Sequence, residues 1–459
     1  MYATLTGAID ARGLNRGCLK AILLKYWDRL RSSFWFVPAV MVCLAVVLAI
    51  ATVELDRAAT AGWLQRLSWI YSGGAEGASL LLGTVAGSMI AIAGTVFSMT
   101  LVALSLASSQ LGPRLLRNFM RDTANQVVLG TFVATFVYCL LVLRTVRRAD
   151  EAAFVPHLSA SVGILLAMVS IGVLIYFIHH VSVSIQADEV VARVSRELHD
   201  GIDRLFPGHL SKSASQVSNA PGEAVLPAAF ANEARSVGAV QDGYLQRIDA
   251  DALMDLAVRE DLMLRLERRP GHYLVEGRAL VRVWPGDRLT ESLVGRINAA
   301  FVSGNQRTGA QDVEFSFQQL VEIAVRALSP GINDPFTAIV CVDRLASGLC
   351  RLARRDMPSA QRFDRHGNLR LVAPGPTFAG IVDVAFNQIR QSARSNPAVA
   401  IRLLDAIRQI AGHVQRAADS ASLQRHADMI VRAALVDVPE PDDLFAVEAA
   451  FTAATQALR

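Results

Sequence analysis

Charged side chains are scarce in this sequence, and that scarcity limits what the protein can be. Asp, Glu, Lys and Arg make up 19% of the 459 residues, whereas hydrophobic residues make up 52%. Soluble domains usually carry about 25% charged residues. The mean hydropathy of +0.35 therefore excludes a wholly cytosolic globular protein. The length corresponds to roughly three domains, so a membrane part and a folded soluble part can occur in one chain.

Catalytic and metal-binding motifs are missing as well. The five cysteines form no CxxC pair, so neither a disulfide framework nor a zinc site is indicated. The sequence has no GxSxG, no HExxH, no phosphate-binding loop and no glycine-rich strand–helix fingerprint. We therefore expect no enzyme activity, no cofactor and no bound metal.

A basic face on the soluble part is lacking too. Residues 1–180 contain 14 Lys and Arg against 8 Asp and Glu, whereas residues 181–459 contain 31 against 33. The positive surplus thus lies in the apolar, N-terminal part of the chain. Nucleic-acid binding needs a basic patch on a folded domain. We therefore expect the lipid bilayer, and no nucleic acid, as a partner.

Long apolar runs are what the sequence does have. Each of four runs reaches the roughly 20 helical residues that cross a bilayer, and none contains Asp, Glu, Lys or Arg. The runs are Phe34–Val53, Ser79–Ala107, Val127–Leu143 and Leu158–Ile178. They predict a four-span transmembrane domain over residues 34–180, preceded by an N-terminal segment over residues 1–33.

The basic residues around the four runs predict their orientation. Segment 1–33 carries six Lys and Arg, and the loop after the second run adds Arg114, Arg117 and Arg121, whereas the opposite side carries five. Because basic loops stay in the cytoplasm, we expect both termini there. An aromatic stretch, Trp63–Tyr71, is typical of the outer membrane interface.

The second run carries a stripe of hydroxyl groups. In a helix these residues fall within an arc of about 100°. They are Thr84, Ser88, Thr95, Ser98, Ser105 and Ser109, and beside them lie Gly83, Gly87 and Gly94. One interpretation is close helix packing, which small residues favour. The other is a water-filled path shared by several copies of this span, where hydroxyl oxygens replace part of an ion's hydration shell. The sequence leaves both open.

The rest of the chain predicts a mixed, mostly α-helical cytoplasmic domain. We expect a helical extension and linker at 181–235, in which span four continues to Leu205. A small β-rich subdomain should follow at 236–285. The remaining residues, 286–459, should form a helical domain that starts with a helix over Asp287–Val302. Alternation of apolar residues on both sides of Arg269–Gly271 predicts a β-hairpin, and the layout looks like a biotinyl/lipoyl-type barrel. The only lysine after residue 180, Lys212, lies outside it, so carrier chemistry is not expected.

The loop 329–335, with the sequence SPGINDP, admits two interpretations. As a turn, Gly331 ends one helix, Asp334 caps the next and Pro335 supplies its first turn. As a site, Asn333 and Asp334 join a polar set just upstream that could bind an anion, a metal or a neighbouring subunit. That set consists of Arg307, Thr308, Gln311 and Asp312.

Two longer strings are similar to a known family. The segments Phe97–Arg114 (FSMTLVALSLASSQLGPR) and Arg326–Pro335 (RALSPGINDP) resemble a bacterial family of predicted membrane proteins classed only as a domain of unknown function. The resemblance covers nearly the whole chain. It implies a multi-pass inner-membrane protein with a cytoplasmic C-terminal part, and it implies no activity.

Two functions therefore stay open. The first is a homo-oligomeric channel or gated pore for an ion or small solute, with the second span lining the path and the cytoplasmic domain regulating or assembling it. The alternative is a membrane-anchored interaction or regulatory protein without conduction, in which the loop 329–335 contacts a partner.

Overall fold

A computed structural model describes residues 35–58, 73–111, 123–147, 154–184, 186–206 and 226–459. The chain divides into two compact units, a membrane unit before Gln186 and a C-terminal unit that begins there. The predictions for segments 1–33, 63–71 and 114–121 lie outside the described residues, as does most of the linker.

Four helices of the described residues are long and apolar enough to cross a membrane. They are α1 (Phe36–Ala58), α2 (Ala75–Leu111), α3 (Thr123–Leu143) and α4 (His157–Ser184). The four predicted spans are therefore confirmed as helices, and each extends beyond its apolar run. At 37 residues and about 1.5 Å per residue, α2 is roughly 55 Å long.

The membrane unit is held together by two apolar clusters that involve α2. In the first, Leu82 and Ala86 pack with Ala49 of α1 and Tyr138 of α3. In the second, Met89, Ala93 and Val96 of α2 pack with Phe132 of α3 and Phe177 of α4. One side of α2 is therefore committed to packing within the chain.

Gly130 of α3 permits a close approach to α1. A Cβ at Gly130 would lie 2.5 Å from the Met41 sulfur and 3.2 Å from the Pro38 Cα. Contacts that short are not tolerated in a packed interior. The small residue here therefore fixes the helix separation.

A polar network ties α1 to the start of α4. The Asp56 carboxylate accepts hydrogen bonds from the backbone N–H groups of Leu158 and Ser159, each at 2.9 Å, and from the Ser159 hydroxyl at 2.7 Å. The Tyr138 hydroxyl donates to the Ser159 carbonyl at 3.0 Å and lies 3.1 Å from Thr52 Oγ1. Helix N-termini leave backbone donors without intrahelical partners, and this network satisfies two of them.

The expectation of one continuous helix from span four to Leu205 is wrong. Helix α4 ends at Ser184, and a separate helix, α5, spans Ala187–Leu205. Gln186 between them is extended, with φ −65° and ψ 131°. Helix α5 is amphipathic, with Val191, Val194 and Leu198 on its buried face, whereas α4 is apolar all round. The sequence therefore changes from uniformly apolar to amphipathic at the point where α4 ends and α5 begins.

The described strands of the C-terminal unit form two sheets. Their bounds are β1 Arg235–Gly238, β2 Gly243–Ile248, β3 Met263–Leu266, β4 Tyr273–Leu274, β5 Ala279–Trp284, β6 Phe301–Gly304, β7 Gln361–Phe363 and β8 Leu369–Val372. One sheet has the order β1-β5-β3-β8-β7 and the other β4-β2-β6. All pairs are antiparallel except β3 with β8.

The predicted hairpin and barrel need correction, because these strands close no barrel. Strand β3 pairs with β5, as in the expected hairpin. Between them, however, Gly271 takes a left-handed conformation (φ 93°), and its N–H bonds to the Leu245 carbonyl at 2.8 Å. The chain thereby leaves the first sheet, and Tyr273–Leu274 pairs with β2 in the second.

The helices of this unit pack against the strands and against one another. They are α6 Phe230–Glu233, α7 Ala250–Arg259, α8 Glu291–Ala299, α9 Val313–Ala327, α10 Pro335–Ala353, α11 Phe378–Ser392, α12 Pro397–Ala411, α13 Ala417–Asp437 and α14 Pro441–Ala457. The helix expected over Asp287–Val302 is shorter, because β6 begins at Phe301 and pairs with β2. The mixed, mostly helical character of this unit is confirmed.

Candidate functional site

The hydroxyl stripe lies on the surface of α2. Thr84, Ser88, Thr95, Ser98 and Ser105 are all exposed, whereas Leu82, Met89 and Ala93 are buried. At 100° per residue the two sets lie on nearly opposite sides of the helix. The stripe therefore takes no part in the packing of the membrane unit. Ser109 lies in the same helix, beyond the described side chains.

Three hydroxyls of the stripe donate to their own helix. Thr84 Oγ1 bonds the Leu80 carbonyl at 2.7 Å, Ser88 Oγ the Thr84 carbonyl at 2.7 Å, and Thr95 Oγ1 the Ala91 carbonyl at 3.1 Å. Once its proton is used in this way, a hydroxyl still presents oxygen lone pairs outwards. The exposed face of α2 is thus an array of hydrogen-bond acceptors.

The glycines beside the stripe also have free space around them. A Cβ added at Gly83, Gly87 or Gly94 would meet no atom within 4 Å. Among the described residues, no neighbouring atom therefore requires glycine at these three positions.

A second polar centre lies at the start of α9. Arg307 forms an ion pair with Asp312, with Nη2–Oδ2 at 2.6 Å and Nε–Oδ2 at 2.9 Å, and its Nη1 donates to Gln318. Asp312 also caps α9 by accepting from the Phe315 N–H. Burial raises the pKa of the Asp312 carboxyl, and the Arg307 guanidinium opposes that shift. With only 4% of its side chain exposed, Asp312 is a structural centre of this region.

A neighbouring ion pair extends this centre. Arg269 Nη2 lies 2.8 Å from Glu314 Oε1, and Arg269 Nε donates to His272 Nε2 at 3.1 Å. Burial and then the charge of Arg269 lower the pKa of His272. Gln311 uses its amide oxygen and nitrogen on the backbone of Ile248. Both carboxylates and the Gln311 amide are thus already committed to partners.

The structure does not assemble the polar set predicted from the sequence. Arg307 and Asp312 meet before the N-terminus of α9, while Asn333 and Asp334 follow its C-terminus. A helix of 15 residues places these ends about 22 Å apart. The set therefore divides into two unrelated groups.

The loop 329–335 adopts a turn that differs in detail from the one predicted. Asp334 caps α10 by accepting from the Thr337 N–H at 3.1 Å and from its hydroxyl, and Pro335 begins the helix. The residue in the left-handed conformation, however, is Asn333 (φ 47°) and not Gly331. Asparagine tolerates this region better than most residues. The side chains of Phe336 and Ile332 beside the turn are 79% and 42% exposed.

A cavity of about 250 Å³ opens beside the second polar centre, within the C-terminal unit. Its polar lining comes from three arginines and the committed acids, and its apolar lining from the end of α5, from β2 and β3, and from several prolines. The lining includes Arg268, Arg269, Arg362, Gln311, Asp312, Glu314, Leu205, Phe206, Ile248, Leu266, Pro270, Pro358, Pro374 and Pro376. Sequence reasoning found Gln311 and Asp312 but missed Arg268, which follows β3, and Arg362 of β7, which line the same cavity.

The amino-acid sequence matches a known family of predicted membrane proteins. A family model described as "Predicted membrane protein (DUF2254)" matches residues 31–409. The chain belongs to this family. Two relatives, "Uncharacterized protein Rv1290c" of Mycobacterium tuberculosis and "Uncharacterized protein Mb1321c" of Mycobacterium bovis, are each 32% identical over 446 residues, which covers 95% of this chain and 82% of the relative. No solved structure matches the chain significantly.

Proposed function

We propose that this family member is a homo-oligomeric pore of the bacterial inner membrane, without enzyme activity. Several copies of α2 would surround a path for an ion or small solute, and the C-terminal unit would lie in the cytoplasm and regulate or assemble the ring. The observation that carries the proposal is the exposed hydroxyl face of α2, opposite the face that packs within the chain.

The chemistry of that face suits a wet path. A Ser or Thr that bonds its own i−4 carbonyl is tolerated in lipid, so a single exposed hydroxyl needs no special explanation. Here, though, Thr84, Ser88, Thr95, Ser98 and Ser105 follow one line along the helix. Their outward lone pairs resemble the neutral oxygens that replace ion hydration in selective pores. Acceptors of this kind favour a cation over an anion.

The open glycines support close association of α2 with a second copy. Transmembrane helices associate mainly by van der Waals packing where small residues let their backbones approach. Gly83, Gly87 and Gly94 stand beside the hydroxyls, and a Cβ added at any of them would meet no described atom within 4 Å. In a ring, the glycine stripe would pack against the adjacent α2 while the hydroxyl stripe faced the axis.

The test combines assembly with flux. The mass of the protein in lipid nanodiscs should correspond to at least three copies, and liposomes containing it should pass a small cation such as K⁺. Ser98→Leu and Ser105→Leu should abolish flux without changing that mass. Ser182→Leu is the matched control, since Ser182 is an exposed hydroxyl of α4 that bonds the Ile178 carbonyl. A monomer, or undiminished flux in both α2 variants, would contradict the pore.

One observation favours the alternative, a membrane-anchored interaction protein. Phe336 and Ile332 expose apolar surface beside the 329–335 turn, and such groups often contact partner proteins. Phe336→Ser tests this better than a change at Asp334, which caps α10 and would disturb folding. Loss of a co-purified partner in Phe336→Ser, together with no flux in the unmodified protein, would favour the alternative.

A further inference from the structure

The cavity of the C-terminal unit has the size of a site for a small organic molecule. Its volume is about 250 Å³. An engineered apolar cavity of about 150 Å³ admits benzene, whereas sites for drug-sized ligands begin near 300 Å³. The cavity therefore suits a molecule somewhat larger than a single aromatic ring.

The wall of the cavity is apolar and stiff. Leu205, Phe206, Ile248 and Leu266 supply hydrocarbon surface, of which Phe206 and Leu266 are 1% and 3% exposed. Four prolines complete it: Pro270, Pro358, Pro374 and Pro376. Proline has a fixed φ and no N–H, so these positions give shape without hydrogen-bond donors. No hydrogen bond to a ligand can therefore be donated by the backbone at these four positions.

Some charged groups in the lining form ion pairs within the protein, and others do not. Asp312 is paired with Arg307, and Glu314 with Arg269. Within the part of the chain that the structure describes, the guanidinium groups of Arg268 and Arg362 have no ion-pair or hydrogen-bond partner. Both line the cavity, and Arg268 is only partly exposed.

We propose that this cavity binds a small amphipathic monocarboxylate, with its negative charge held by Arg268 and Arg362 and its aromatic or branched aliphatic body against the proline-rich wall. Asp312 and Glu314 are paired with Arg307 and Arg269, so Arg268 and Arg362 are the two guanidinium groups of the described lining left for a ligand, and the two oxygens of one carboxylate can accept from both. A multiply charged phosphate ester would meet Asp312 and Glu314 as well. Guanidinium groups recognise carboxylates with strong, directional hydrogen bonds. The proposal holds whether or not the protein conducts.

The experiment uses the full chain in nanodiscs and two fluorinated probes. These are 4-fluorophenylacetate and 4-(4-fluorophenyl)butyrate, each compared with its uncharged amide by ¹⁹F NMR, with empty nanodiscs as the blank for partition into lipid. We expect at least one acid to bind saturably and its amide to bind at least tenfold more weakly. Failure of both acids to bind saturably, or equal affinity of acid and amide, overturns the proposal.

A second test of the proposal removes the two positive charges from the cavity and measures binding of the acid again. The double variant Arg268→Gln with Arg362→Gln should weaken binding of the acid at least tenfold, since hydrogen bonds to charged groups are among the strongest in proteins. The matched control is Arg278→Gln with Arg432→Gln, two exposed arginines of the same unit away from the cavity. An equal loss in both double variants, or none in the first, overturns the assignment. Far-UV circular dichroism of both variants verifies that each is folded.

A filling variant distinguishes the cavity from the charged surface around it. Gly375 lines the cavity, and a Cβ there would meet no atom within 4 Å. Gly375→Phe therefore adds bulk without a clash in the backbone. It should weaken acid and amide alike, whereas the arginine variants should weaken the acid alone. If Gly375→Phe leaves both affinities unchanged, the probes bind elsewhere and the proposal falls.

Discussion

The Asp56 carboxylate, on α1, caps α4 by accepting both the backbone N–H and the hydroxyl of Ser159, at 2.9 and 2.7 Å. Replacing it by Ala leaves the Leu158 and Ser159 donors without partners. Unsatisfied donors of this kind cost roughly 1–3 kcal/mol, so Asp56→Ala should lower the thermal midpoint of the protein in nanodiscs. Asp56→Asn, which keeps one acceptor oxygen, should lower it less.

Glu54→Ala is the control for that change, on the same helix. Its carboxylate pairs with Arg57 at 2.7 Å, but both side chains are more than half exposed. Exposed ion pairs contribute about 0–1 kcal/mol. Equal midpoints for Asp56→Ala and Glu54→Ala would show that the cap is not stabilising.

Gly271 combines a left-handed backbone with contact against an ion pair. An added Cβ would overlap the Asp312 carboxylate and approach Arg307 Nη2 to 2.9 Å. Gly277 is also left-handed (φ 76°) but meets nothing within 4 Å, so it isolates the backbone effect. Gly277→Ala should destabilise by about 1 kcal/mol, and Gly271→Ala by clearly more. Chemical denaturation of the two variants measures the difference, and equal losses would contradict the role of the ion pair.

The Asp334 cap predicts a dependence of stability on pH. Hydrogen bonds from Thr337 lower the pKa of Asp334. A carboxyl with a lowered folded pKa contributes stability that is present above its unfolded pKa, near 4, and is lost as the pH falls through the folded pKa. Asp334→Ala should cost about 0.5–2 kcal/mol at neutral pH, and less near pH 3. Asp334→Ser, which keeps a cap without a charge, should remove the part of the pH dependence that Asp334 contributes and retain most of the stability.

The open glycines of α2 give a prediction that depends on assembly alone. Gly87→Leu meets no atom of its own chain and replaces glycine by a better helix former, so the fold should survive. The bulk should nevertheless keep copies of α2 apart and lower the mass of the complex in nanodiscs. Gly172→Leu on α4, where an added Cβ is equally free, should leave the mass unchanged. Identical masses for both variants would remove α2 from the interface.

Sequence reasoning located the membrane helices because apolar length is a local property. Helices α2, α3 and α4 contain their predicted runs and α1 all but the first two residues of its run, and the cap at Asp334 follows from neighbouring residues. The Asp56 cap could not be predicted in this way, since its partner Ser159 is 103 positions away. Arg268 and Arg362 could not be predicted for the same reason, because residues distant in the sequence form their common cavity only after folding.

The β-rich subdomain shows why alternation was misleading. Tyr273 and Val281 both fit one period-two pattern, yet they belong to different sheets. Alternation reports that one face of a strand is buried, and it does not report the partner strand. Of the two interpretations of the 329–335 loop, the Asp334 cap is confirmed, but Gly331 does not end the preceding helix, which stops at Ala327, and the left-handed residue of the turn is Asn333.

The parallel pairing of β3 with β8 has a consequence for synthesis. Leu264 pairs with Leu371, so β3 sits in the middle of its sheet only after much of the C-terminal unit has left the ribosome. Until then one edge of β3 is unpaired, and unpaired edges attract other strands. Chains released before residue 369 should therefore aggregate, whereas chains that end just after Val372 can complete the sheet.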